Sequence, residues 1–256
     1  MKLARYAYRG HILYGVVKGE EISEILRTPF TGLEKQGRVY PGDEVELLAP
    51  VYPQKIIAVG LNYSDHAREV DMPIPEEPVL FMKPPSSILP HEGAIVYPVA
   101  SRRVDYEAEL ALVCGTECRD VPVEEASDHI LGYTCANDVT ARDLQARDGQ
   151  WTRAKSFDTF CPLGPFIETE ADPDGLVVEL SLNGEKRQSS AVSNMIFDPP
   201  ELLSFVSHIM TLYPGDVILT GTPPGIGEIR PGDTVEVNVD GVGLLRNTVI
   251  SRTQPT

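Results

Sequence analysis

The chain has few basic residues and no long apolar run. Its 256 residues include 22 Lys and Arg against 38 Asp and Glu, so the formal net charge is −16. Such a chain repels nucleic-acid phosphates and anionic lipid, which makes both poor candidate partners. No stretch has the apolar length needed to span a bilayer, and the first residues lack the apolar core of a signal peptide. We therefore expect a cytoplasmic protein that binds neither nucleic acid nor membrane.

Cysteine is also scarce. The four cysteines, Cys114, Cys118, Cys135 and Cys161, are too few for a disulfide scaffold at this length. Cys114 and Cys118 are spaced like half of a zinc site, but a structural zinc site takes about four nitrogen or sulfur ligands. No second pair and no histidine cluster lies near them in the sequence. Buried, reduced thiols are the expected state.

Glycine and proline, by contrast, are plentiful. The 21 Gly and 22 Pro divide the chain into short segments, which favours β structure with many turns. Pro-Gly-Asp occurs at residues 41–43, 214–216 and 231–233, each time before an apolar-rich segment. Proline and glycine preset a turn and aspartate bonds nearby backbone amides, so the motif predicts a turn followed by a strand.

The segments together predict a β-rich α+β fold with few helices. Residues 198–212 show the best helical spacing of apolar side chains and begin with two prolines. The proline-rich stretch at 49–53 is typical of a linker. We therefore expect a small N-terminal β unit at residues 1–50 and a main domain at residues 51–256.

Acidic side chains occur inside two apolar segments. Glu107 and Glu109 lie two apart on a predicted strand and so project to the same face. Two neighbouring carboxylates repel, and a bound Mg²⁺, Mn²⁺ or Ca²⁺ resolves the repulsion with oxygen donors. The alternative is a solvent-exposed strand face. Asp138 follows another apolar strand, where it is either a third ligand or the cap of the next helix.

Other polar residues have spacings that suit a cleft. His66 and Glu69 are three apart, so on a helix the carboxylate can orient the imidazole as a general base, unless the two form only an exposed ion pair. Arg142 and Gln145 share one helical face in the same way. Thr222 lies in a glycine-rich loop that lacks the ending of a nucleotide-binding P-loop and offers amides and a hydroxyl to an anionic substrate.

In series, these segments resemble the fumarylacetoacetate hydrolase family over residues 53–250. The matching strings are GLNYSDHA at 60–67, LFMKP at 80–84, DYEAEL at 105–110, NDVTARD at 137–143, AKSFD at 154–158 and LTGTPPG at 219–225. The resemblance implies a rolled, mixed β-sheet domain, often preceded by a small strand-rich unit. It also implies a homodimer.

The resemblance further implies a metal site and a catalytic set. One Mg²⁺ or Mn²⁺ is expected on Glu107, Glu109 and Asp138. The His-Glu pair of the family, carried on a mobile lid, matches His66 and Glu69, and its active-site lysine matches Lys155. Some members have an additional aspartate ligand near the lid histidine; Asp65 lies there and is left out of the expected ligand set.

The implied substrate is a small anionic 2-oxo acid. The metal with Lys155, Arg142 and Lys83 supplies positive charge in an otherwise acidic chain. The leading hypothesis is hydrolytic cleavage of a C–C bond in an acylpyruvate or a fumarylacetoacetate-like acid. The alternatives are decarboxylation of an oxaloacetate-like acid and isomerisation of a 2-hydroxyhepta-2,4-diene-1,7-dioate. A third hypothesis, a non-catalytic binder of metal and small acids, does not explain the His66–Glu69 pair.

Overall fold

The computed structural model describes residues 1–69, 71 and 73–252, and no helix within them is long and apolar enough to cross a membrane. Five short α-helices are found in this part of the chain: α1 (Ser64–Glu69), α2 (Val123–Ala126), α3 (Arg142–Asp148), α4 (Thr152–Lys155) and α5 (Pro199–Ile209). The strands of its first half are β1 (Lys2–Tyr8), β2 (His11–Lys18), β3 (Glu21–Ile25), β4 (Lys35–Pro41), β5 (Glu46–Leu47), β6 (Ile56–Gly60), β7 (Val79–Lys83), β8 (Ile88–Leu89), β9 (Ala94–Tyr97), β10 (Val104–Tyr106) and β11 (Ala108–Cys114). Those of its second half are β12 (Ile130–Asn137), β13 (Thr140–Ala141), β14 (Cys161–Glu168), β15 (Val177–Leu182), β16 (Glu185–Ala191), β17 (Val217–Leu219), β18 (Gly227–Ile229), β19 (Thr234–Val239) and β20 (Gly243–Ser251).

The strands form three sheets, which confirms the β-rich fold with few short helices. The largest has 12 strands in the order β4-β3-β2-β1-β14-β12-β11-β17-β6-β7, with β5 on β1 and β8 on β14. A 5-stranded sheet runs β16-β15-β19-β20-β9, and a 3-stranded sheet runs β13-β10-β18. The sheets are mixed, because β17 pairs with β6, and β20 with β9, in parallel, whereas most other neighbours are antiparallel.

The N-terminal strands extend the large sheet. β1 pairs with β14 through Lys2↔Glu168 and Leu3↔Ile167, and β2, β3 and β4 follow outward from it. The side chain of Tyr6 is completely buried among Ala4 and Ile22. These strands have a small apolar cluster of their own, while their sheet is continuous with that of the main domain. The division at residue 50 stays a prediction.

The central strand β11 is buried on both faces. Leu110 and Leu112 point into the core between the large and the 5-stranded sheets, and Ala111 and Val113 point into a second cluster on the opposite face. By strand alternation, Glu109 shares a face with Ala111 and Val113. The single strand predicted to carry Glu107 and Glu109 is in fact two strands, β10 and β11, which separate at Glu107 and enter different sheets.

The helices also differ in part from the sequence-based expectation. The helix expected directly after Asp138 begins only at Arg142, because Thr140 and Ala141 form the strand β13. Helix α5 begins after Asp198, as its spacing predicts, and a capping box joins Asp198 and Glu201. The reciprocal bonds satisfy backbone donors that a helix start leaves unpaired.

All four cysteines are free and buried, as expected for reduced thiols in the interior. In the described part of the chain, the one group of three or more His, Cys, Asp or Glu side chains close enough to share a metal ion contains no cysteine. Among the described residues, Cys114 and Cys118 therefore have no further side chains with which to form a zinc site.

The Pro-Gly-Asp turn at 214–216 carries a buried charge. Asp216 is fully buried, accepts hydrogen bonds from the backbone amides of Gln54 and Lys55 at 3.1 and 3.0 Å, and forms an ion pair with the Lys55 ammonium. Its other oxygen accepts from the amide of Tyr213 at 2.8 Å. These bonds hold the start of β6 beside the start of β17.

We predict that Asp216→Ala lowers the free energy of unfolding by about 3–5 kcal/mol, because it leaves a partly buried ammonium and three amides without their acceptor. Denaturant unfolding followed by circular dichroism measures the change. Asp233→Ala is the matched control, since Asp233 belongs to the same motif but bonds Arg230 and Asn183 at the exposed surface. A loss no larger than that of the control would contradict the prediction.

Candidate functional site

Three acidic side chains meet where β10 passes into β11. Glu107 lies between these strands, Glu109 lies on β11, and Asp138 follows the last residue of β12. The pairs Ala108↔Asn137 and Glu109↔Ala136 align the two strands, and the amide of Asp138 donates to the carbonyl of Glu107 at 2.8 Å. One carboxylate oxygen from each of the three acids lies within 4.8 Å of the other two.

These acids are buried. Glu107 is 5% exposed, and Glu109 and Asp138 are each 1% exposed. A solvated strand face is therefore excluded for the two glutamates. Asp138 does not cap a helix either, because helix α3 begins at Arg142 and the Asp138 oxygens bond two lysines.

Three cations surround the acids unequally. The Lys155 ammonium donates to Glu107 Oε2 at 2.8 Å and to Asp138 Oδ2 at 2.6 Å. Lys83 binds the other oxygen of Asp138, and Arg142 binds the other oxygen of Glu107. The carboxylate of Glu109 instead accepts a hydrogen bond from the backbone amide of Gly221 at 2.7 Å. Among the described residues, no cationic side chain bonds to it.

The pKa values follow this inequality. Burial acts to raise the pKa of Glu107, but Lys155 and Arg142 outweigh it and lower the pKa to about 2. Burial raises the pKa of Glu109 well above its usual value, and the negative charges of Asp138 and Glu107 raise it further. Glu109 is therefore the acid that carries its charge at the greatest cost.

The donor set fits a hard divalent cation. All three ligand atoms are carboxylate oxygens, the type that Mg²⁺, Mn²⁺ and Ca²⁺ prefer. A cation beside Glu109 would relieve the repulsion that Lys83, Lys155 and Arg142 leave uncompensated there. Asp65 is not in the group; its Oδ1 accepts the backbone amide of His66 at 3.0 Å.

Helix α1 places a histidine at the same site. His66 Nδ1 lies 2.9 Å from Glu69 Oε2, and His66 is 7% exposed. Glu69 Oε1 also accepts the backbone amide of Gly225 at 3.0 Å, which joins α1 to the glycine-rich loop. The pair is thus not a fully exposed helix-face contact. With Nδ1 engaged by the carboxylate, Nε2 is the nitrogen left for chemistry.

A cavity of about 530 Å³ brings most of the predicted residues together. Its predicted members are Glu107, Glu109, Asp138, His66, Arg142, Gln145, Lys155 and Thr222. Its further members are Val59, Gly60, Leu61, Phe81, Ala146, Trp151 and Ile226. Glu69 acts on the cavity through His66. Lys83 is 1% exposed and does not line the cavity, so its only route to a substrate is through Asp138.

Arg142 has three hydrogen-bonding partners at the site, and one of them, Asp105, was not predicted from the sequence. Its Nε donates to Asp105 Oδ2 at 2.9 Å, its Nη1 donates to Gln145 Oε1 at 2.6 Å, and its Nη2 binds Glu107. Asp105 is fully buried, and it also forms an ion pair with the exposed side chain of Arg103. Sequence reasoning did not assign Asp105 a role, although a charged residue between Val104 and Tyr106 in an apolar segment is a usable signal.

Two amide side chains support the site without a sequence signal. Asn137 Oδ1 accepts the backbone amide of Glu107 at 2.9 Å. Gln188 Oε1 accepts the backbone amide of Ala108 at 2.9 Å, and its Nε2 donates to Thr222 Oγ1 at 2.9 Å and to the carbonyl of Pro223. Gln188 thereby links strand β11 to the glycine-rich loop.

Comparisons with known proteins agree with this geometry. Residues 55–250 match the family model "Fumarylacetoacetate (FAA) hydrolase C-terminal", and residues 1–50 match the model "Rv2993c-like, N-terminal". The mitochondrial oxaloacetate tautomerase FAHD2A of Bos taurus is 43% identical over 246 residues, which are 91% of this chain and 77% of that protein.

Two solved structures are similar over almost the whole chain. The 5-carboxymethyl-2-hydroxymuconate delta-isomerase of Mycobacterium smegmatis is 44% identical with a TM-score of 0.94, covering 98% of this chain and 100% of that one. The maleylpyruvate hydrolase of Sphingobium sp. SYK-6, in complex with manganese(II) and pyruvate, is 32% identical with a TM-score of 0.83, covering 99% and 100%. Relatives of this fold are thus enzymes of several reaction types, and the chain belongs to the fumarylacetoacetate hydrolase family.

Proposed function

We propose that the protein is a divalent-metal-dependent hydrolase that cleaves a C–C bond in a 2-oxo acid with a second carbonyl, such as an acylpyruvate. The observation that carries the proposal is the placement of a buried carboxylate triad, Lys155 and a His66–Glu69 pair around one cavity. The similar maleylpyruvate hydrolase, whose structure holds manganese(II) and pyruvate, supports the same reaction class.

Glu107, Glu109 and Asp138 are the proposed ligands of Mg²⁺ or Mn²⁺. When bound, such a cation supplies Lewis acidity and a fixed positive charge for the carboxylate and the 2-oxo group of the substrate. The triad is buried at the wall of the cavity, so water has limited access to it. Charges interact more strongly there than in open solvent.

Lys155 and His66 are the proposed catalytic residues. His66 Nε2 takes a proton from a water molecule, while Glu69 holds the ring through Nδ1 and stabilises the imidazolium. The water oxygen adds to the distal carbonyl carbon, and the C–C bond to the pyruvyl carbon then breaks. Its electron pair passes into the enolate of pyruvate, whose negative charge the Lys155 ammonium stabilises. The imidazolium returns the proton to that carbon, which completes pyruvate, and the acyl fragment leaves with the water oxygen as a carboxylic acid.

A second candidate is a proton shift without hydrolysis. The oxaloacetate tautomerase and the delta-isomerase are 43% and 44% identical to this chain, higher than the 32% of the hydrolase. The same cavity would then hold the substrate as an enolate, and His66 would move a proton between two atoms of the substrate. Decarboxylation of an oxaloacetate-like acid requires only that the site stabilise the enolate, and unlike hydrolysis it requires no activated water.

Glu109→Gln should remove metal binding. Glu109 is the member of the triad without a cation partner, so the amide takes away a ligand and part of the attraction for the metal without freeing a lysine. We expect Mn²⁺ affinity to fall more than about 100-fold, beyond the 10- to 100-fold cost of losing an outer-shell partner. Isothermal titration calorimetry on the metal-free protein measures it.

The control for this substitution is Glu179→Gln, which removes a carboxylate bonded to Lys186 at the surface. The control should keep both Mn²⁺ affinity and the rise in melting temperature that ligand binding causes. Wild-type Mn²⁺ affinity in Glu109→Gln would exclude the proposed ligand set.

Lys155→Met should reduce kcat for acetylpyruvate by about 10²- to 10³-fold, the cost of removing one donor that stabilises transition-state charge. Steady-state kinetics with saturating Mg²⁺ measures the loss, and circular dichroism checks that the fold is kept. Lys186→Met, at the exposed Lys186–Glu179 pair, is the control and should leave kcat unchanged. A normal kcat in Lys155→Met would assign Lys155 to structure alone.

His66→Ala should separate hydrolysis from decarboxylation. Hydrolysis of acetylpyruvate should fall by about 10²- to 10⁴-fold, the usual contribution of a general base, and Glu69→Gln should cause a smaller loss in the same direction. Decarboxylation of oxaloacetate should persist, since it needs no activated water. His208→Ala is the control, because His208 lies on α5 and bonds the carbonyl of Ser204 instead.

Equal losses on both substrates would mean that His66 only positions α1. A wild-type protein that interconverts enol and keto oxaloacetate but cleaves no acylpyruvate would establish the second candidate.

A further inference from the structure

The uncharged part of the cavity wall is mostly apolar. Apart from Gly60, Gln145 and Thr222, its uncharged residues are Val59, Leu61, Phe81, Ala146, Trp151 and Ile226. The cavity volume of about 530 Å³ lies in the range that encloses drug-sized ligands, far beyond the need of a four-carbon acid. The wall therefore has surface to cover a sizeable substituent of the substrate.

Trp151 is the largest of these side chains, and its position is fixed from two sides. A Cβ at Gly60 would lie 2.8 and 2.9 Å from Cζ3 and Cη2 of the indole, so the ring lies directly on the Gly60 backbone. The Phe81 ring meets it edge-on, with centroids 5.2 Å apart and an interplanar angle of 75°. Such a pair is a rigid aromatic surface.

The cations at the cavity are already paired. Lys155 bonds two carboxylates, and each of the three nitrogens of Arg142 donates to an acceptor of the protein. In the described lining, both cations already have carboxylate partners, so a carboxylate at the far end of a substrate would exchange water for an apolar wall with no cation left to pair with it. Burial of an unpaired charge is strongly unfavourable.

The geometry points to Trp151 as the residue that determines substrate specificity, by holding the non-reacting end of the substrate. The favoured substrate class for hydrolysis is a 2-oxo acid whose distal substituent is uncharged and apolar or aromatic, as in an aroylpyruvate. This inference rests on the proposed function, because it assumes that the 2-oxo acid end is held at the carboxylate triad.

Three inert mimics test the inference with the Mn²⁺-loaded protein. Oxamate, N-phenyloxamate and N-oxalylglycine share one chelating end and differ only in the other end, which is absent, aromatic or a carboxylate. Isothermal titration calorimetry gives their affinities. Trp151 is the one tryptophan of the chain, so its fluorescence reports directly on an occupant of this wall.

We expect N-phenyloxamate to bind about 10- to 100-fold more tightly than oxamate, the range that apolar pocket contacts provide, and N-oxalylglycine to bind no more tightly than oxamate. N-phenyloxamate should also change the Trp151 fluorescence. N-oxalylglycine binding more tightly than N-phenyloxamate would overturn the inference and leave the proposed function intact. Failure of all three mimics to bind would refute the proposed function, and this inference with it.

Two variants assign the effect to the wall. Trp151→Leu should remove most of the difference in affinity between N-phenyloxamate and oxamate. The oxamate affinity should stay within about threefold of the wild-type value, because the substitution removes only contacts to the distal end of the ligand. Gly60→Ala should do the same by displacing the indole. Its matched control is Gly175→Ala, where an added Cβ meets no atom within 4 Å.

Oxamate affinity guards against a merely structural effect. The backbone carbonyl of Trp151 accepts a hydrogen bond from the backbone amide of Lys155 at 3.0 Å, so a disturbed backbone at position 151 would move Lys155 and lower the affinity for all three mimics. If Trp151→Leu fails to fold, Gly60→Ala decides. An unchanged preference for N-phenyloxamate in both variants would exclude Trp151 as the specificity residue.

Discussion

The shared ammonium of Lys155 is the interaction on which the site depends. It bonds Glu107 and Asp138 at 2.8 and 2.6 Å in a region where both acids are almost completely buried. Without it, two carboxylates at the ends of neighbouring strands would face each other in the protein interior, at a cost of several kcal/mol. Burial acts to lower the pKa of Lys155, but Asp138 and Glu107 outweigh it and raise the pKa. Helix α4, short as it is, therefore delivers the charge that lets β11 and β12 carry acids inward.

The surrounding framework keeps one acid free of cations. Gln188 bonds strand β11 and the glycine-rich loop, and Asn62 donates to the carbonyls of Thr220 and Phe197 at 2.8 and 2.9 Å. These bonds place the Gly221 amide on Glu109 in place of a lysine. The position requires glycine, because Gly221 has a φ of +95° and a Cβ there would lie 2.7 Å from the Cβ of Asn62. A neutral donor leaves the negative charge of Glu109 available to a metal ion.

The sequence predicts the parts of the site that local spacing determines. A period of two predicted that Glu107 and Glu109 meet, and both carboxylates do reach the site although the strand is interrupted at Glu107. A separation of three brought His66 to Glu69. The pairing of Lys83 with Asp138 could not be predicted, because 55 residues separate them and strand order decides the contact. The split of the predicted strand at Glu107 has a similar cause: β10 pairs with β18 and β11 with β17, and no local propensity marks the change of sheet. Trp151 stood in a polar segment, and only its packing on Gly60 shows that it faces the cavity.

The pairing of charges also explains how a chain with a net charge of −16 can hold an anion. Lys155 and Arg142 lie at the cavity, but their bonds to Glu107, Asp138 and Asp105 offset most of their attraction for a substrate. Without a metal ion, the raised pKa of Glu109 favours its protonated form, so an anion would meet a wall close to neutral. In the proposed function, a divalent cation on the triad makes the wall positive, so the affinity for the 2-oxo acid depends on the metal and, by linkage, the substrate strengthens metal binding. The lysine and arginine then stabilise the charge that develops during the reaction, while recognition of the rest of the substrate is left to the apolar wall.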